Sequence, residues 1–269
     1  MMEDNMKILA AYDTDIGKSK SVNQDALCIK EAATNLGTFT MAILCDGMGG
    51  YSSGEVASAT VISVFSEWFE NKLPALLQSD FSLDKVRNQW REIIKLYSRL
   101  TVEYGLKLQP SIKLGTTLTG ILITENYGAE VIHVGDSRLY QITDNMYQLT
   151  RDHTKIGYLV SQGTLHLTEE EIEHHPERHV LSQCIGGSRV TCEPDSFRLE
   201  LESYIHGSGF FLCSDGFRHE VSRQEMYNAF NSYSLTDENI MKQRIRHLIN
   251  ANMDRGEKDN ISGILLKVM

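Results

Sequence analysis

The chain has 269 residues, 41% of them apolar and 23% charged, which is enough to bury a sizeable core in one large domain or two small ones. Its formal net charge is −10. That excludes nucleic acid or an anionic membrane as the main partner, because phosphate backbones need concentrated Lys and Arg.

An acidic chain that acts on phosphates must reverse its own field locally, and a cluster of bound cations is one solution. The five cysteines, Cys28, Cys45, Cys184, Cys192 and Cys213, are dispersed and include no CxxC pair. This pattern points to a reducing, cytoplasmic compartment. Cys28, Cys45 and Cys213 lie in apolar runs and are expected to be small buried thiols. Residues 1–15 are too acidic, and their apolar run too short, for a signal peptide. No run approaches the roughly 20 apolar residues of a membrane helix.

In chain order, residues 7–12, 26–29 and 39–45 read as strands. A helix is predicted over 53–70 and a second over 83–106. The second carries Val86, Trp90, Ile93, Ile94, Tyr97 and Leu100, a three-and-four spacing that gives one buried stripe. Short strands follow at 116–124, 128–134, 139–143 and 147–149, separated by Asn-, Asp- and Gly-containing turns as in a meander. Residues 151–187 are polar and rich in His and Glu, with short helical stretches. Within them, Thr168 is the expected N-cap of a helix that begins with Glu169–Glu171. A strand at 210–213, helices at 222–230 and 237–253, and a strand at 261–268 complete the chain. This order does not alternate as βαβαβ, so it favours antiparallel sheets with segregated helices in a single domain, 1–269.

Two segments share one design. The apolar run 40–45 ends in Asp46-Gly47, and the run 210–214 ends in Asp215-Gly216. A carboxylate at the tip of a buried strand is held rigidly while facing solvent, and the glycine permits close backbone approach. Asp25, Asp136 and Asp259 occupy similar strand-end positions. Asp-Gly is also ordinary turn chemistry, so each aspartate alone reads more readily as a turn residue. As a set they make an oxygen-only ligand group, suited to Mg²⁺ or Mn²⁺ rather than Zn²⁺.

The ordered segments VNQD (22–25), DGMGGYSSGEVAS (46–58), GTTL (115–118), GDSR (135–138), LTRDHT (149–154), LSQCIG (181–186), LCSDG (212–216) and KDNI (258–261) resemble the PPM, or type-2C, metal-dependent Ser/Thr protein phosphatases in their bacterial form. The resemblance spans nearly the whole chain. It implies an α+β fold in four layers, α-β-β-α: two packed antiparallel sheets flanked by helix pairs. It implies that Asp46 bridges two metals, that the Gly47 carbonyl binds one, and that Asp215 and Asp259 complete the second. Asp25 would hold metal-bound waters, and Asp136 with Asp215 would match the ligands of a third ion. Residues 151–187 would match the flap beside the site. The implied cofactors are two Mn²⁺ or Mg²⁺ per chain, with a third in bacterial members. The implied reaction is direct attack of a metal-bridging water on phosphoserine or phosphothreonine, without a phosphoenzyme. The implied partners are phosphorylated proteins, a cognate Ser/Thr kinase and its substrates.

The sequence departs from the family pattern twice. Lys20 stands where members usually carry a phosphate-gripping arginine, keeping the charge but losing the bidentate fork. Met48 stands where many eukaryotic members carry a histidine that protonates the leaving group; His153 is a candidate substitute, against a structural surface histidine. Other readings remain. Residues 50–54 match G-x-S-x-G, which would make Ser52 a hydrolase nucleophile. Gly47, Gly49 and Gly50 evoke a dinucleotide loop, but Ser52 holds the place of its last glycine. His174, His175 and His179 could form a zinc site, though Pro176 interrupts any helix there. A pseudophosphatase that binds without turnover is the non-enzymatic alternative.

Overall fold

The computed structural model describes residues 6–49, 53–108, 110–188, 192–204, 207–231 and 235–269. Among these, two antiparallel sheets form. The five-stranded sheet runs β1 (Ile8–Asp15), β12 (Ile261–Val268), β11 (Gly209–Cys213), β7 (Arg138–Ile142), β8 (Met146–Gln148). The seven-stranded sheet runs β10 (Asp195–Leu199), β6 (Gly128–Val134), β5 (Leu118–Thr124), β3 (Gly37–Gly49), β4 (Leu114–Thr116), β9 (Ile185–Gly186), with β2 (Asp25–Thr34) also paired to β3. Helices α1 (Gly54–Glu67), α2 (Leu73–Leu77) and α3 (Leu83–Lys107) belong to the seven-stranded side. Helices α6 (Arg223–Phe230) and α7 (Glu238–Arg255) belong to the five-stranded side. Short helices α4 (Lys155–Ser161) and α5 (Glu169–Glu173) lie in the 151–187 segment. Among the described residues no helix is long and apolar enough to cross a membrane.

Strand alternation separates three apolar layers. Phe39, Met41, Ile43 and Cys45 of β3 join Val61, Phe65, Trp68, Val86, Trp90 and Ile94 under the first helices. Phe211 and Cys213 of β11 join Met226, Phe230, Met241, Ile245 and Ile249 under the last two. Ala42, Leu44, Ile121, Val131, Phe210, Leu212, Ile264 and Leu266 fill the space between the sheets. The expected four layers are therefore present, and among the described residues every strand pairing is antiparallel. That leaves no doubly wound parallel sheet for a nucleophile elbow, while Ser52 and Gly50 lie outside the described residues.

Helix ends follow their chemistry. Ser82 caps α3, Ser222 and Glu225 form a capping box on α6, and Asp237 accepts from two amides of α7. The predicted 116–124 strand is two strands broken at Thr117. The Thr117 amide bonds Asp46 O at 2.8 Å and its hydroxyl accepts from the Asp46 amide at 2.9 Å, so this residue serves β3 rather than the ladder. The predicted 53–70 helix passes through a π-turn, Trp68–Lys72, that turns both Trp68 and Phe69 inward. Cys28 is half-buried rather than buried, and Cys192 is buried instead. Trp90 is fully buried, with Phe65 and Trp68 edge-on at 5.5 and 5.3 Å. Trp90→Ala should therefore cost about 3–5 kcal/mol, measurable as a lowered denaturation midpoint with an unchanged far-UV spectrum.

Candidate metal centre

The same alternation aims the acidic residues. Asp46 continues the β3 face that carries Ala42 and Leu44. Asp25, at the start of β2, continues the face of Leu27 and Ile29 and lies in register opposite Asp46. Both carboxylates thus leave the inter-sheet core at one end of the sandwich. From the other sheet, β11 runs out into Asp215, and Asp259 precedes β12, its neighbour. Asp136 lies in the turn between β6 and β7. The five aspartates are within Coulombic range of one another: Asp25, Asp215, Asp136 and Asp259 all act on Asp46.

Two glycines let the turns close. A Cβ on Gly47 would stand 2.4 Å from Gly54 O and 2.5 Å from Gln24 O, and one on Gly216 would stand 2.2 Å from Asn260 O. The glycine after each aspartate thus admits neighbouring carbonyls, which a side chain would exclude. Further fixings were not foreseen from sequence. Asn260 accepts the Gln24 amide (2.9 Å) and donates to Ile16 O and Val22 O (2.9 and 3.2 Å), stapling the loop that carries Lys20. Arg246 on α7 holds the end of β1 through Asp13 and Asp15 at 2.6–2.7 Å. His219 faces Asp215 at 3.5 Å and Glu257 at 3.0 Å, and Glu257 accepts the amides of Lys258 and Asp259.

The electrostatics are those of like charges forced together. Asp25 is half-buried as a residue, yet both its carboxylate oxygens are shut off from solvent and make no well-formed hydrogen bond. Burial, reinforced by Asp215 and Asp259, pushes it up to about 7, although the hydroxyls of Ser262 and Ser214 work against the rise. Burial and Asp215 push Asp136 up to about 8. Burial and the neighbouring aspartates push Asp46 well above the carboxylate range. Lys20 Nζ lies 2.7 Å from Asp259 Oδ1. Burial opposes its charge, but the hydrogen bond to Asp259 and the charges of Asp259, Asp46 and Asp215 hold it above the ordinary lysine range. Among the described residues no three acidic, His or Cys side chains stand at the spacing of a closed metal cage. The cluster is open, its members near enough to repel but not in ligand contact. The shielded, unpartnered oxygens of Asp25, beside Asp46 and Asp136 whose pKa values are raised by burial and neighbouring aspartates, belong to an all-oxygen donor set that a hard divalent cation fits.

His153 is buried rather than at the surface. Its Nδ1 accepts the Gly135 amide at 3.2 Å, its Nε2 lies 3.1 Å from Asp195, and its ring packs on His133. The approach to Asp195 is not a well-formed hydrogen bond, but the ring is 4% exposed and closed in by Gly135 and His133, which marks it as a structural residue. His174, His175 and His179 assemble no metal group among the described residues. A cavity of about 360 Å³ opens beside Met48, walled by Lys113, Leu114, Gly115 and residues 181–184 and 186–188. None of the aspartates lines it.

The protein phosphatase 2C profile matches residues 16–262. The chain belongs to that family. It is 33% identical over 260 residues to a protein phosphatase 2C-type chain of Streptococcus pyogenes serotype M6, covering 96% of this chain and 95% of that one. The S. agalactiae serine/threonine phosphatase superposes with a TM-score of 0.79 at 30% identity, covering 98% of this chain and all of that one. The catalytic domain of the serine/threonine protein phosphatase PstP, solved with two manganese ions, gives 0.72 at 25% identity, covering 98% and 100%.

The charge cluster sets a stability trade-off. Because the folded pKa of Asp25 lies above the ordinary carboxylate value, the folded chain keeps a proton that the unfolded chain has lost between about pH 4 and 7. Stability of the chelator-treated protein should fall as pH rises through that window. Asp25→Asn should stabilise it at pH 8 by about 4 kcal/mol at most, seen as a raised melting temperature, and flatten the pH dependence. Differential scanning fluorimetry with chelator checks both; a lowered melting temperature at pH 8 would contradict the repulsion.

Proposed function

We propose that this 2C-family chain is a metal-dependent phosphatase of phosphoserine and phosphothreonine proteins, and that Asp25, Asp46, the Gly47 carbonyl, Asp136, Asp215 and Asp259 hold its ions. The observation that carries the reading is the convergence of these carboxylates from two sheets, close enough that neighbouring aspartates help raise Asp25, Asp46 and Asp136 above the ordinary carboxylate range. Bound Mn²⁺ or Mg²⁺ would supply a water of lowered pKa and offset the charge of the phosphoryl oxygens. The protein's own part is positioning. Asp46 and Asp25 are fixed by β3–β2 pairing and by Thr117, Asp215 by its turn and His219, and Asp259 by Glu257. Fixed donors cost little reorganisation when the reaction begins. Lys20, already beside Asp259, has the charge and reach to contact the substrate phosphate.

On this reading residues 1–269 are one catalytic domain and 151–187 its flap. The protein works in the cytoplasm against a Ser/Thr kinase and that kinase's substrates. Two ions per chain is the reading by analogy with PstP; Asp136 and Asp215 would serve a third.

Hydrolysis of an aryl phosphate should require Mn²⁺, stop with chelator and ignore a serine-directed fluorophosphonate. The reverse pattern would establish a serine hydrolase, and silence throughout a pseudophosphatase. Asp215→Asn should lose on the order of 100-fold or more in kcat, whereas Ser52→Ala should stay near wild type. Steady-state rates at saturating Mn²⁺ distinguish them, and an active Asn variant would contradict the ligand assignment.

A further inference from the structure

Adjoining the aspartate cluster at Asp136, four charged side chains form a closed ring. Glu173 spans two guanidiniums, Oε1 to Arg138 Nη1 at 2.6 Å and Oε2 to Arg218 Nη1 at 2.7 Å. Asp152 takes Arg138 through Nε and Nη2 at 2.8 and 2.7 Å and reaches Arg218 Nη2 at 3.4 Å. The two arginine side chains are only 6% exposed. Their anchors differ from those of the acids. Arg138 is on β7, and Arg218 follows Asp215 by three residues and donates to Asp136 O at 3.3 Å. Asp152 and Glu173 both come from the flap.

What else holds this part of the flap is slight. Among the described residues from 157 to 184 none is buried, and the backbone bonds that tie the flap down, Lys155 N to Val180 O and Ser182 N to His153 O at 2.8 Å, lie outside α5. That helix has five residues, too few to persist alone. Its Thr168–Glu171 capping bonds are local, and the Lys155–Glu177 pair is exposed. The Glu173 carboxylate, by contrast, is 25% exposed and makes charge-assisted bonds to two fixed partners. Beyond α5 the chain returns as residues 181–184 and 186–188, which wall the cavity beside Met48.

We propose that Glu173 is a positioning residue, an ionic latch that fastens the flap to the arginines behind the metal centre and so fixes the wall of the cavity that receives the peptide around the phosphorylated residue. The role in substrate recognition rests on the phosphatase reading; the latch itself does not. Glu173→Gln keeps the shape but loses the charge and sets an amide against a guanidinium.

The test compares the wild-type full chain with Glu173→Gln, Glu173→Ala and Glu173→Asp. Trypsin cleavage after Arg178, in the flap, should accelerate about tenfold in the Gln and Ala variants, and less with Asp. At saturating Mn²⁺, KM for a phosphothreonine peptide should rise about tenfold, while kcat for p-nitrophenyl phosphate, too small to use the cavity wall, should stay within about twofold. Unchanged cleavage would overturn the latch. So would an equal loss of kcat on both substrates, which would make Glu173 part of the metal centre's framework. A wild-type chain inactive on both substrates would sink the phosphatase reading, and the cleavage rates would still decide the latch.

Discussion

Mutual repulsion among desolvated carboxylates is the constraint around which this molecule is built. Five aspartates reach one end of the sandwich from both sheets, and burial denies Asp25, Asp46 and Asp136 the water that would screen their charges. Left to themselves such groups would move apart or take up protons. They stay because each sits at the end of a strand or in a turn whose backbone is bonded on both sides. Asp46 is clasped by Thr116 and Thr117, and the Asp259 amide is bonded by Glu257. The repulsion is therefore carried by the whole sandwich, whose three apolar layers stabilise it over an area much larger than the site. Local destabilisation kept by a rigid scaffold is the usual cost of a preorganised charged site.

Cations are arranged around the cluster rather than spread through it. Arg246 is occupied by Asp13 and Asp15, and Arg138 by Asp152 and Glu173. Each strong guanidinium thus has carboxylates of its own and acts as a strut. Arg218 offsets part of the charge at Asp136, and Lys20 part of that at Asp259. For Asp152, burial alone would raise the pKa, but Arg138 and Arg218 hold it below the ordinary range. The Arg138–Arg218–Asp152–Glu173 ring is thus neutral overall and the Arg246 unit carries one net negative charge, which leaves the largest excess of carboxylates where divalent ions would be taken up.

The sequence was most informative where chemistry and local pattern coincide. Apolar runs ending in Asp-Gly announced both the buried strands β3 and β11 and the carboxylates at their ends. The three-and-four stripe of α3 placed Trp90 inside. Legibility failed where a partner distant in sequence decides the outcome. Thr117 breaks an otherwise continuous β run because Asp46, some 70 residues earlier, claims its amide and hydroxyl. Strand β10 carries Asp195, Ser196 and Arg198, a polar pattern that reads as loop, and it forms because the edge of β6 is available to pair. Asn260, Arg218 and Glu173 looked like ordinary polar residues; their roles come from contacts spanning 45 to 244 residues. His153 was misplaced for the same reason, since only the fold shows Gly135 and His133 closing over its ring.

Lys20 shows how a departure from a family pattern acquires physical meaning. Both contacts to the Asp259 carboxylate, from Lys20 Nζ at 2.7 Å and from the Asn260 amide at 2.8 Å, fall on Oδ1 and leave Oδ2 with neither. An arginine at this position presents a planar fork, which pairs with both oxygens of a carboxylate at once. Such a pairing would compete with a metal for the whole of Asp259. An ammonium is a compact charge on a flexible stem, and it gives up one contact at a time. The substitution therefore exchanges bidentate grip on a phosphate for easier release of a carboxylate. On the proposed reading, Lys20 would neutralise part of the cluster while no divalent ion is bound, and its flexible stem would let it reach a substrate phosphate.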